Sequence, residues 1–174
     1  DLCSLRMKEQ PWIVEGKKNM RRPAELVDKT GKVESLLGEG LDLYADRDVR
    51  FNLGQKLMKE LGFKQLEDVT LEDILGRIKV AVKTGAPVPF QIYEWMEQGL
   101  NKGWFNSGDL TRKLKGKNWV YTDDRALFPA SKVLGTRGVD YFGNRQGYWQ
   151  KGVKKCPELC TPFGIPTEVT DELV

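Results

Sequence analysis

No histidine occurs anywhere in the 174 residues. This removes Ser–His and Cys–His nucleophilic sites, together with the usual mixed cysteine–histidine zinc sets. Cysteine is nearly missing too: Cys3, Cys156 and Cys160 form an odd, sparse set. They read as reduced thiols of an intracellular, cytoplasmic chain rather than as a disulfide framework. The run Cys156-x-x-x-Cys160 with Cys3 still lacks a fourth metal ligand, so no metal site is expected. No apolar run approaches the roughly 20 residues that span a bilayer, and no secretory signal is visible. Charge of one sign is lacking as well. With 28 basic residues against 25 acidic ones, a net +3 does not demand a polyanionic partner. Phosphate loops are also missing: "GEG" at 38–40 and "GNRQG" at 143–147 have neither the strand–loop–helix context nor the lysine. No cofactor is expected.

What remains is an ordinary globular composition, 40% hydrophobic and 10% aromatic. The length fits one domain or two small ones. Carboxylates come in pairs, at Asp46/Asp48, Glu67/Asp68, Glu72/Asp73 and Asp123/Asp124. Each pair has a local use as a helix cap or a turn. A divalent-metal enzyme would need two of them to converge in space. No catalytic constellation emerges, and the chain reads as a non-enzyme.

The strongest pattern is internal. "QPWIVEGKKNMRRPAELV" (10–27) lies against "KNWVYTDDRALFPASKVL" (117–134), pairing Trp12 with Trp119 and Pro23-Ala24 with Pro129-Ala130 across a one-residue shift. "LGFKQLEDVTLEDIL" (61–75) lies against "TPFGIPTEVTDELV" (161–174), pairing Phe63 with Phe163 and Val69-Thr70 with Val169-Thr170 without a gap. Each Trp segment is β-branched and aromatic, then polar, then apolar again, which is a hairpin signature. Pro23 and Pro129 cannot donate to a ladder and belong at the end of the return strand or on an edge. Trp12 and Trp119 are expected to anchor the hairpins in the core.

Thr70 is placed to cap a helix, with Asp73 three residues on in the manner of a capping box. Ile74, Leu75, Ile78 and Val82 then give an apolar stripe at helical spacing. "TGAPVP" (84–89) breaks the helix. A second helix over 90–103 presents Ile92, Trp95, Met96 and Leu100 and ends at Gly99 and Gly103, and Ser107 is expected to cap a third. Leu53, Leu57 and Leu61 point to a further helix before Gly62. Thr170 opens the same cap four residues before the last residue, so the expectation is a fragment of a longer chain. The fold class is therefore α+β, an imperfect tandem repeat of a Trp-containing β-hairpin followed by helices. The first unit is expected over 1–103 and a second, truncated one over 104–174.

The pattern "PWI…RPAELV…LGF…VTLEDIL" resembles segments found downstream of the ATPase domain in sacsin-like proteins, large intracellular proteins whose ATP-binding domain is similar to that of the ninety-kilodalton heat-shock chaperones. The resemblance implies a scaffold or chaperone-like region. No residue here matches that family's ATP-binding motifs, so no nucleotide site is carried over. The leading expectation is a non-catalytic interaction or scaffold segment with a protein partner and no membrane. The alternative is a nucleic-acid-binding module. Lys17, Lys18, Arg21 and Arg22 are expected across a hairpin tip, and Arg145, Tyr148 and Trp149 mix cation with aromatic; single strands can use both.

Overall fold

In a computed structural model, the described residues are 2–15, 19–38, 44–123, 125–134 and 155–167. Helices and short antiparallel strands are mixed, an α+β arrangement. The chain forms two compact units, Asp1–Asp73 and Ile74–Val174. The repeat border expected at 103/104 lies within the second of them.

The first unit opens with α1 (Leu2–Glu9) and the hairpin β1 (Ile13–Glu15) and β2 (Asn19–Arg21), paired Ile13 to Arg21 and Glu15 to Asn19. Pro23, lacking an N–H, starts a 3-10 turn over Pro23–Glu25 as its fixed φ allows. The chain then straightens, so that Leu26–Asp28 bonds to two other segments: Ala45 N to Val27 O, and Lys64 N to Leu26 O. α2 (Gly31–Leu37) is capped by the Thr30 hydroxyl, which accepts from Val33 N. α3 (Arg47–Leu61) is broken at Gly54, whose φ of 71 is a conformation that only glycine enters readily. Ile13, Leu26, Met58, Leu61 and Phe63 form the core, with Trp12 and Leu53 half-buried against it. The expected stripe through Leu57 is corrected: Leu57 is exposed, and Met58 takes the core position.

α4 (Leu71–Thr84) begins in the capping box read from the sequence. Asp73 N donates to the Thr70 hydroxyl at 3.3 Å, and Thr70 N donates back to the Asp73 carboxylate at 2.9 Å. Its buried face is Ile74, Ile78 and Ala81; Leu75 is half-buried, and Val82, expected on that face, is exposed.

In the second unit, α5 (Phe90–Asn101) buries Ile92, Tyr93 and Met96, while Trp95 and Leu100 stay half-buried. Gly99 lies inside α5 rather than at its end, and Gly103 follows with φ +68. α6 (Ser107–Leu114) is capped by Asn106, whose side-chain oxygen accepts from Asp109 N at 2.7 Å; Ser107 is only the first helical residue. The correction follows from geometry, because Asn106 stands three residues before the orphan amide of Asp109.

The second hairpin pairs β3 (Val120–Tyr121) with β4 (Leu127–Phe128). Its turn is closed by Arg125 N donating to Thr122 O, with Arg125 at φ 57. A 3-10 turn, Ala130–Lys132, follows Pro129. The unit closes with α7 (Pro157–Cys160), a 3-10 turn Thr161–Phe163 and left-handed Gly164.

Candidate functional site

The surface best equipped for recognition is in the second unit, around the C-terminal end of α5. Gly99 makes it possible. A Cβ on Gly99 would fall 2.3 Å from the Phe105 ring, so glycine lets that ring lie against the helix backbone. The connecting loop is pinned to the helix it leaves. Lys102 N donates to Gln98 O, Gly103 N to Leu100 O and Trp104 N to Gly99 O, all between 2.9 and 3.2 Å.

Three aromatic rings meet on this frame. Trp95 stacks on Phe105 with centroids 5.6 Å apart and an interplanar angle of 22°. Trp104 stands against Trp95 at 5.5 Å, tilted by 52°. Lys102 Nζ lies 5.2 Å from the centre of the Trp104 ring, within cation–π range. Trp104 keeps 49% of its surface exposed, although large aromatic side chains are usually buried. Gln91 and Gln98, one turn either side of Trp95, are exposed too.

Phe105 also lines an open cleft of about 690 Å³, with Leu100, Asn106, Ser107, Glu158, Thr161 and Pro162. One wall of the cleft, α7, is held by α5. The Glu97 carboxylate, 8% exposed, accepts from Glu158 N at 3.2 Å and from Leu159 N at 2.7 Å. Asn101 Nδ2 donates to the same carboxylate at 3.3 Å. α7 is a single turn, too short to persist without tertiary support. Behind it, Cys156 and Cys160 are buried free thiols. Burial, and then the Glu97 charge, push both thiols up to about 12, so neither is a ready nucleophile or metal ligand.

Among the described residues, which leave out Asp124, no group of three or more Cys, Asp or Glu is placed to hold a metal ion. No described helix is long and apolar enough to cross a membrane.

Several residues singled out from sequence are structural. Trp119 is fully buried between Tyr93, at 5.9 Å, and Phe163, at 5.0 Å. The Tyr93 hydroxyl donates to Trp119 O and accepts from Tyr121 N, fastening the hairpin to α5, and burial pushes its pKa well up. Trp12 is half-buried, and its indole N–H donates to Met7 O at 2.6 Å. Pro23 is buried and Pro129 half-buried. Arg21 is half-buried at the end of β2, opposite Ile13, and exposed Arg22 follows the strand, so these two stand at the base of the hairpin and not at its tip. Lys17, Lys18, Arg145, Tyr148, Trp149 and Thr170 lie outside the described residues.

Sequence reasoning placed Trp95 on a packing face and passed over Trp104 and Phe105. The signal for them was the pair of adjacent aromatics between Gly103 and the Asn106 cap. No family model matches the chain, and no curated protein or solved structure matches it.

Proposed function

We propose that this chain is a non-catalytic interaction segment of a larger, chaperone-like intracellular protein, built as an imperfect tandem repeat of a Trp-anchored hairpin followed by helices. The observation that carries it is the pinned cluster of Trp95, Trp104 and Phe105, exposed at Trp104 and continuous with a cleft through Phe105. Rigid aromatic side chains displayed beside polar groups are the usual anchors of protein interfaces.

The tandem part draws support from a constant offset of 107 residues. Trp12 and Trp119 each precede the first strand, Ile13–Arg21 and Val120–Phe128 are the matching register pairs, and the 3-10 turns Pro23–Glu25 and Ala130–Lys132 follow in step. The one-residue shift in the sequence alignment disappears, because Ala130 and not Pro129 holds the place of Pro23. Near the ends, Phe63 N bonds to Met58 O after left-handed Gly62, and Ile165 N bonds to Cys160 O after left-handed Gly164. Phe63 and Ile165 thus follow alike turns, at an offset of 102 rather than 107 and two residues beyond the Phe163 that the sequence alignment pairs with Phe63. The likeness to sacsin-like segments supports the same proposal.

The test is affinity capture by the immobilised chain and by Trp104→Ala. A protein retained by the first and lost by the second is expected. Identical capture by both, or turnover of a substrate by the isolated chain, overturns the proposal. The reading frame around these residues should hold further Trp-hairpin units, and one that holds none removes the larger repeat protein.

A further inference from the structure

We propose that the Trp95–Trp104–Phe105 platform and its adjoining cleft bind an extended, proline-containing peptide that carries an acidic residue toward Lys102 and a basic residue toward Glu158. This inference rests on the interaction reading above and names its ligand.

The chemistry follows from what the surface offers. A polyproline II segment makes no internal hydrogen bonds, so its carbonyls need donors while its rings seek flat apolar faces. Exposed Trp104, tilted 52° from Trp95, supplies such a face, and the half-buried Trp95–Phe105 stack supports it from beneath. Exposed Asn106 and Ser107 on the cleft can supply donors, and Phe105 joins the platform to the cleft.

Charge selects the class of ligand. Lys102 is the cation over the Trp104 ring, and exposed Glu158 lines the cleft. A nucleic-acid strand following both would bring phosphates against Glu158. A peptide with opposite charges at its two ends meets each of them with its complement. The surface is also set before binding: the loop is tied to α5 by three backbone hydrogen bonds, and Gly99 seats Phe105. Little ordering entropy is then left to oppose a short peptide.

The probe is a fluorescent peptide with Asp, a Pro-x-x-Pro core and Arg, titrated with the whole chain and read by anisotropy. Three comparison probes are the same peptide with Asp and Arg made Lys and Glu, the same peptide with its prolines made glycine, and a labelled oligothymidylate. Saturable binding of the first peptide is expected, weakened about tenfold or more by Trp104→Ala. Lys102→Glu combined with Glu158→Lys is expected to reverse the preference between the two charge patterns, which a merely unfolded variant would not do.

Equal binding of the glycine peptide, preference for the oligothymidylate, or insensitivity to Trp104→Ala overturns the inference. If the immobilised chain captures a protein through Trp104 while no proline peptide binds, the peptide inference fails and the interaction reading stands. If neither capture nor peptide binding depends on Trp104, both fail.

Discussion

The carboxylate of Glu97 accepts the backbone amide of Leu159 at 2.7 Å, joining residues 62 apart in sequence. One side chain thus does for α7 what an N-cap residue does for its own helix, satisfying amides that the first turn leaves orphaned. Glu97→Ala strands two amides at a site where Leu159 is fully buried. The expected cost is about 2–4 kcal/mol in urea unfolding, and Glu97→Gln, which keeps one acceptor oxygen, should lose about half as much. Faster alkylation of Cys156 and Cys160 in the native state should accompany the loss. Unchanged stability together with unchanged thiol reactivity would show that α7 is held by apolar packing alone.

In the first unit, Asp28 is completely buried, and its Oδ1 lies 2.9 Å from Arg50 Nε, whose own side chain is 42% exposed. Neither oxygen of Asp28 receives a well-directed hydrogen bond within the protein, so the charge depends on the ion contact. Arg50 also donates to Lys29 O at 3.1 Å. Arg50→Met leaves a buried carboxylate without a counter-charge and should cost about 3–5 kcal/mol, while Asp28→Asn with Arg50→Met together should recover part of that loss. A double variant no better than Arg50→Met alone would mean that the two residues do not act as a pair.

These two contacts mark where the sequence stopped being legible. Elements stabilised by neighbours along the chain could be read: the Thr70–Asp73 capping box, the break after Thr84, and both hairpins with their following prolines. Their physics lies within a few residues. Glu97 and Asp28 carried no such signal, because each partner is set by the fold: the α7 amides in one case, and Arg50, a full helix away, in the other. Asn106 and Ser107 were both competent caps, and only the reach to Asp109 N decides between them. The candidate site was missed for a related reason. "GWFN" reads as a loop with aromatics, and the seating of its Phe105 depends on Gly99, six residues away, admitting the ring.

Two glycines on helices make opposite predictions. On α5, a methyl at Gly99 would collide with the Phe105 ring at 2.3 and 2.4 Å, so Gly99→Ala must displace the ring. Overpacking of this kind costs about 1–3 kcal/mol, and near-ultraviolet circular dichroism from the Trp95–Phe105 stack should fall. On α4, exposed Gly76 has nothing within 4 Å of an added Cβ, so Gly76→Ala should stabilise by about 0.5–1 kcal/mol through helix propensity. Paired urea titrations decide it; if Gly99→Ala also stabilises, the ring is not seated as described.

The buried thiols make stability fall in alkali. Cys156 and Cys160 are pushed up to about 12 by burial first and by the Glu97 charge second, whereas an unfolded thiol titrates near pH 8.5. Between those values the unfolded chain releases protons that the folded chain retains, so the slope of unfolding free energy against pH is negative. The contribution of the neutral thiols is complete below about pH 8.5, and it declines as pH rises from there toward 12. With two such groups the limiting slope is about −2.7 kcal/mol per pH unit. Unfolding midpoints in urea at pH 8, 9.5 and 10.5 should drop faster for the native chain than for a Cys156→Ala, Cys160→Ala double variant, whose absolute stability is lower but whose dependence on pH is flatter. Parallel pH profiles for the two proteins would show that the thiols are not the groups responsible, and would count against their burial beside Glu97.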